Sequence, residues 1–417
     1  MDKKRLFLII GFIILSFLLG YAIYRVFFAR TKELTSPGST PITGTPGTFP
    51  TIGDRQNTDQ TNGSDNTLPI STNTGGTGTQ TGQGTPSNIS NFSGAQPFVA
   101  KPVSVDLGSP SAGQNGSARF YNKTDGKFYM LDRQGQVRTL SDTVFYNVEK
   151  VTWSPQANES IIEYPDGSNI YYDFDTNEQV SLPKHWESFS FSKEGSEISA
   201  KSIGLSPDSK WLITADPTGK NINLVEPLGT NASKVIVDWS PNRQVIALSL
   251  TGDPIGGLRQ EVLLVGQHHE NFKSIEVEGR GLETQWSPNG TKLLHSVYSS
   301  RNDYKPELWI VDATPDTAGE NRKPLGVNTW ASKCTMANER TVYCGVPQTL
   351  ESGSGFAPEV ADFTPDIFYQ IDTVTGIRTE LEVNETHVVD TMFVSQDGTT
   401  LNFTDKNQPG LFQIPLK

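Results

Sequence analysis

Histidines, cysteines and paired carboxylates are the side chains from which most catalytic and metal sites are assembled. This chain is sparing with the first two, holding five histidines and two cysteines in 417 residues. His268, His269 and Glu270 form its histidine cluster. Neighbours on a strand point to opposite faces, so the two rings could share a metal only from a loop, and no third histidine is near in sequence. His185, His295 and His387 stand alone, and surface or packing roles are expected for them. The run Asp173, Asp175, Asn177, Glu178 looks superficially like a calcium loop. The sixth and twelfth positions, which in such a loop are glycine and a bidentate glutamate, hold Glu178 and Lys184, so a turn between strands is expected. Nothing in the spacing sets two carboxylates at the ~5–9 Å separation of a glycosidase pair. The chain also lacks a G-x-S-x-G nucleophile elbow. No catalytic residue, cofactor or metal is therefore expected.

Cys334 and Cys344 lie ten positions apart with Glu339 midway. If the flanking strands pair symmetrically about Glu339, the two cysteines face each other. A disulfide closing so short a loop would stabilise by up to ~2–3 kcal/mol in an oxidising compartment. No C-x-x-C spacing accompanies them, which leaves zinc ribbons, haem attachment and thioredoxin-like chemistry unsupported.

The elements that would position these residues are repeats. VTWSPQANESIIEY (151–164), FSFSKEGSEISA (189–200), VDWSPNRQVIALSL (237–250) and TQWSPNGTKLLHSV (284–297) share one pattern, with weaker copies at 332–346 and 392–404. Each is an apolar strand ending in aromatic-Ser-Pro or a substitute, a polar turn with Asn or Gly, and a second apolar strand. Pro cannot donate to a sheet ladder and Asn or Gly tolerates positive φ, so each unit reads as a hairpin. The equivalent positions Ser154, Ser192, Ser240, Ser287, Thr335 and Ser395 recur at steps of 38, 48, 47, 48 and 60. Between the hairpins an apolar strand, an Asp or Gly turn and a short strand recur, as in NIYYDFDTNEQVSL (169–182). Four strands per ~48 residues is the size of a propeller blade. An all-β propeller of about seven four-stranded blades, six to eight being compatible, is expected over 98–417. LSPDSKWLITAD (205–216) also resembles a repeat start and could head a degenerate blade. The last copy has about three strands, so a strand around 98–107 is expected to complete it. Trp153, Trp239 and Trp286 share one repeat position and are expected to pack between blades.

The turn Trp286-Ser287-Pro288-Asn289-Gly290, with its copies at Trp239 and Trp153, resembles that of the TolB-like or WD40-like bacterial propellers. The resemblance covers roughly 98–417 and implies the fold. It implies little about function, since such propellers serve as binding platforms, enzyme domains and assembly factors.

Before the repeats, residues 1–5 read as a short cytoplasmic tail and 6–28 as a transmembrane anchor, LFLIIGFIILSFLLGYAIYRVFF. The run is long enough for a ~30 Å hydrocarbon core, longer than a signal-peptide core, and has no A-x-A site after it. Residues 29–97, rich in Thr, Gly, Ser and Pro, read as a disordered linker with a reach on the order of 45 Å. The net charge of -12 is split, with +5 over residues 1–32 and -17 over the remainder. An acidic body of that size repels polyphosphate, so nucleic acid is not an expected partner. The expected setting is a single-pass plasma-membrane protein with its C-terminal domain outside the cytoplasm.

Loops carry binding more often than strands do. Three insertions stand out, at 251–260 with Asp253 and Arg259, at 299–307 with Arg301 and Tyr304, and at 347–366 with Phe356 and Phe363. All fall between the second and third strands of their repeats, which puts them on one face. The expected function is a non-enzymatic interaction platform for a protein or cell-envelope partner. The alternatives are a propeller glycan hydrolase or lyase, and a subunit of a secretion or pilus assembly.

Overall fold

The computed structural model describes residues 96–98 and 106–417, apart from 257, 271, 384 and 417. The tail, the anchor and the linker up to residue 95 lie outside the described residues. Among the described residues no helix is long and apolar enough to cross a membrane.

Seven antiparallel sheets follow one another along the chain, making a seven-bladed β-propeller. Blade 1 begins with Leu107–Ala112, blade 2 with Lys150–Trp153, blade 3 with Trp186–Phe191, blade 4 with Val235–Val237, blade 5 with Arg280–Trp286, blade 6 with Cys334–Met336 and blade 7 with Val389–Val394. These first strands are the innermost, and those of blades 7 and 1 lie side by side, so the ring closes. The fourth strand of blade 7 is Gln96–Phe98, which pairs with Leu411–Pro415. The closing strand thus sits just before the stretch expected to supply it, and Leu107–Ala112 opens blade 1 instead. LSPDSKWLITAD does not head a blade. Ser206 to Ser209 cap a short 3-10 turn between the second and third strands of blade 3, and 210–215 is that third strand. A Ser-Pro pair starts a turn at either end of a strand, so the motif alone does not say which end.

The core is divided among the contacts between blades. Trp153 packs with Phe128, Phe145 and Phe174 between blades 1 and 2, Trp239 with Leu228 and Val235 between blades 3 and 4, and Trp286 with Val262 and Leu293 between blades 4 and 5. Fully burying side chains of this kind contributes roughly 1.5–3 kcal/mol each. The contact between blades 7 and 1 has the smallest buried cluster, Ala118, Phe120, Leu131 and Leu411.

The repeat serines Ser154, Ser192, Ser240, Ser287 and Ser395 are buried at the first turns of blades 2, 3, 4, 5 and 7, whereas Thr335 lies within the first strand of blade 6 and Ala337 takes the turn position there. Ser287 Oγ donates to Asn289 Oδ1 at 3.2 Å and accepts from the Lys292 N–H at 3.0 Å. Ser240 does the same with Asn242 and Val245 at 2.7 and 2.9 Å, and Ser395 with Asp397 and Thr400 at 2.6 and 3.0 Å. One hydroxyl therefore fixes both arms of a tight turn. Gly290 has φ +73°, and a Cβ there would stand 2.5 Å from the Asn242 nitrogen of the preceding blade, so two requirements exclude a side chain. Cys334 and Cys344 are direct partners across the first hairpin of blade 6, and the structure joins them as a disulfide.

Two measurements follow from buried polar groups. Ser287→Ala should lower the unfolding free energy by about 1–2 kcal/mol in urea titration. Ser154→Ala should cost distinctly less, because the Ser154 hydroxyl has no partner among the described residues. Equal losses would mean the hydroxyl bonds are not what holds the turns. His295 is fully buried in blade 5, neither ring nitrogen has a partner of good geometry, and burial pushes its pKa down to about 4. The unfolded chain then binds a proton that the folded one refuses between about pH 6.5 and 4, so stability falls with pH across that window, by up to about 3 kcal/mol. His295→Leu should flatten this slope, read as the difference between variant and parent in melts across the range.

Candidate interaction face

A four-stranded antiparallel blade sends its first and third turns to one face and its second turn, with the link to the next blade, to the other. The inserted segments are second turns, those of blades 4, 5 and 6. They share the face opposite the serine turns.

The loops of blades 5 and 6 are built on each other. After Pro347 the chain runs out through 348–365 and returns at Asp366, with the Gln348 N–H bonded to the Pro365 carbonyl at 2.9 Å across the stem. Its outward arm lies on the blade 5 loop. Gly353 donates to the Asp303 carbonyl and Gly355 to that of Tyr304, both at 2.8 Å, and Ser352 Oγ adds a bond of 3.2 Å to Asp303. The Phe356 ring then packs on Tyr298 at 4.6 Å and on Tyr304 at 5.0 Å. The inward arm is held by blade 7, where Asn407 donates to the Asp362 carbonyl at 2.7 Å and Lys406 pairs with the Asp362 carboxylate. Asp303 and Tyr304 both take left-handed backbone, with φ of 49° and 54°. Such strain at a side-chain-bearing residue costs on the order of 1–3 kcal/mol and is typical of binding segments.

The result is an apolar surface that a loop need not have. Phe363 is 83% exposed, Phe356 59%, Val360 53% and Tyr304 41%. Glu351, Glu359 and Asp303 are exposed around it. On blade 3, Leu205 projects entirely into solvent from the corresponding turn.

The remaining predicted residues are placed differently. Asp253 is exposed and its backbone N–H bonds Glu261 at 3.1 Å. Arg259 and Arg301 do not stand free. Arg259 pairs with Glu276 at 2.7 Å, Arg322 with Glu276 at 3.3 Å and Glu278 at 3.0 Å, and Arg301 with Glu278 at 3.2 Å. This alternating chain ties blade 4 to blade 5, and the Arg301 side chain remains 63% exposed while pairing with Glu278. Sequence reasoning missed Val360 and Leu205. Leu205 had a signal, an apolar residue immediately before a Ser-Pro turn, but it was absorbed by the likeness to the repeat.

The groups considered for chemistry do not converge. Asp173 accepts from the Asp175 N–H at 2.8 Å inside the third turn of blade 2, and His268 and His269 are exposed in the 266–274 loop of blade 4. Among the described residues no three His, Cys, Asp or Glu side chains are grouped to hold a metal. Among the described residues, a buried ion pair and a buried His–Asp hydrogen bond lie near the stem of the large loop. Lys333 Nζ reaches both Asp366 oxygens, at 3.0 and 2.8 Å, and His387 Nδ1 is 3.0 Å from Asp405. Their side chains are at most 6% exposed, out of reach of a substrate. Burial raises the Asp366 pKa, against the opposing pull of Lys333 and of the Val389 N–H at 2.6 Å.

No family model and no curated protein matches the sequence. Solved structures match it in fold. The β-propeller domain of Cps50 (Swd1) from Myceliophteria thermophila is 11% identical with a TM-score of 0.51, over 76% of this chain and 99% of that one. A chain of the mitotic checkpoint complex is 12% identical with a TM-score of 0.51, over 84% of this chain and 100% of that one. Oligogalacturonate lyase in complex with manganese is 12% identical with a TM-score of 0.49, over 75% of this chain and 97% of that one. At such identities the likeness is one of fold alone.

Asp366 ends the large loop, so its buried ion pair anchors the face. Lys333→Met leaves the carboxylate unpaired and should cost about 3–5 kcal/mol. Lys333→Met with Asp366→Asn should recover much of that loss. The comparison is of chemical unfolding midpoints, and a double variant no better than the single would separate the pair from the stability of the face.

Proposed function

We propose that this propeller is a non-enzymatic interaction platform that captures a protein partner on the loop face of blades 5 and 6. The observation that carries the reading is the aromatic surface of Tyr304, Phe356 and Phe363, held up by loops whose backbones bond to one another across two blades. Large aromatics on a pre-ordered support are the usual anchors of binding energy, since little entropy remains to be lost on association. The acidic rim favours a partner that brings basic groups around an apolar centre.

The apolar run at 6–28 supports reading the chain as membrane-tethered, and the Cys334–Cys344 disulfide supports an oxidising compartment for the propeller. The repeated aromatic-Ser-Pro turns support grouping it with TolB-like propellers at a cell envelope. On this reading the linker sets how far from the membrane the platform can search.

The test is capture from intact membranes by the full-length chain, beside Phe356→Ser with Phe363→Ser, and with a photo-crosslinking residue at position 360. A partner that crosslinks at 360 and falls at least about tenfold in recovery with the double variant is the expected result. Recovery unchanged by the double variant would remove this face from the function.

A further inference from the structure

A second surface lies on the outer rim between blades 3 and 4, where one strand edge is left open. In blade 2 the fourth strand pairs with all of Asn169–Asp173. In blade 4 the fourth strand, Ile275–Val277, pairs only with residues 260 to 262 of the third strand, Arg259–Val265. Among the described residues no strand covers the outer edge of Leu263, Leu264 and Val265. The third strand ends at Val265 and the fourth does not begin until Ile275. His269 in that loop takes left-handed backbone, with φ 59°.

Between this edge and the outer strand of blade 3, Asn223–Pro227, runs a groove of about 390 Å³. Its walls mix apolar residues, Leu228, Leu263 and Phe272 among them, with polar ones such as Asn231 and Thr251, and its carboxylates are Glu226 and Glu270, with no lysine or arginine in the lining. Leu263 is 37% exposed. Glu226 has His269 Nδ1 as its nearest opposite group, at 4.0 Å, and Glu270 accepts from the His268 backbone N–H at 2.7 Å.

An exposed edge with apolar pockets beside it is the template on which an extended peptide adds as a strand. The backbone then supplies hydrogen bonds and alternate side chains supply selectivity. Two carboxylates in a lining with no lysine or arginine select a cationic side chain. We propose that this groove binds an extended segment of a protein partner, which pairs with Leu263–Leu264–Val265 and places a lysine or arginine between Glu226 and Glu270. This site lies between blades 3 and 4 and none of Tyr304, Phe356 and Phe363 lines it, so it does not depend on the reading given to the loop face of blades 5 and 6.

The test is a selection of random heptapeptides displayed on phage against the immobilised full-length chain, with the enriched sequences then made as synthetic peptides. The expected result is enrichment of Lys or Arg flanked by Val, Ile or Thr. These peptides should lose at least about tenfold in affinity to Glu226→Gln with Glu270→Gln, and should slow amide hydrogen exchange at 263–265. The Phe356→Ser, Phe363→Ser variant should bind them unchanged. No enrichment of basic sequences, equal binding by the glutamine variant, or no protection at 263–265 would each overturn the proposal. Concentration-dependent self-association abolished by the glutamine variant would assign the edge to a second copy of the chain, and overturn it likewise.

Discussion

The hydroxyl of a buried serine, making the same pair of bonds in blades 4, 5 and 7, is the interaction on which much of this molecule depends. A propeller blade is a flat stack of short strands, and nothing in the stack itself sets where the chain reverses. At Ser240, Ser287 and Ser395 the side chain donates to the Asx residue two positions on and accepts from the backbone five positions on. That fixes the length of the turn, and with it the register of the first hairpin. The turns then reach across blades. Asn242 donates to the Gly290 carbonyl at 2.8 Å, the Asn289 N–H to Glu339 at 3.0 Å, and Arg243 pairs with Glu197 at 2.6 Å. A slip in one turn would therefore misplace the next.

The same logic explains an arginine that would otherwise be anomalous. Arg119 is 1% exposed and has no carboxylate partner in the structure's ion pairs. Its guanidinium donates to the carbonyls of Ala157, Ala112 and Ser154 at 2.6, 3.0 and 3.0 Å and lies 4.8 Å over the Trp153 ring. Burial lowers its pKa to about 10, still far above neutrality, so the charge is retained. It joins the first turns of blades 1 and 2, where the Ser154 hydroxyl has no partner. A charge bound by three carbonyl dipoles and an aromatic face supplies there what the serine supplies elsewhere.

What could be read in the sequence was what repeats. The aromatic-Ser-Pro pattern and its weaker copies marked six blades and left the count at six to eight, because identical local physics leaves identical residues, and the structure has seven. The closing strand was placed a little late, since Gln96–Phe98 contributes three residues at the end of a polar stretch and carries no repeat signal of its own. Leu205 was hidden because Ser-Pro opens a turn whether it follows a first or a second strand. Arg259 and Arg301 show a further limit. A charged residue in an inserted loop looks the same in sequence whether it faces a partner or a glutamate of the fold, and here Arg259 meets Glu276 on the next strand of its own blade and Arg301 meets Glu278 across the blade 4–5 boundary. The groove beside Leu263 had no signal at all, because it results from a strand that is too short.

These features divide the molecule by how it tolerates change. The serine-turn face is constrained from blade to blade, and the inner strands are constrained by the ring. The second turns lie on the opposite face, and blades 4, 5 and 6 lengthen theirs in succession. Lengthening alone would give mobile loops whose ordering opposes binding. The blade 6 loop avoids this by bonding its backbone to blade 5 at Asp303 and Tyr304, to blade 7 at Asn407, and through Asp366 to the buried Lys333. Tyr298 fills the space beside Gly355, where an added Cβ would stand 2.5 Å from the Tyr298 Cβ. Phe356 packs on Tyr298 and Tyr304 and is still 59% exposed, and Phe363 is 83% exposed. The aromatics are thus exposed on a loop that is itself firmly seated.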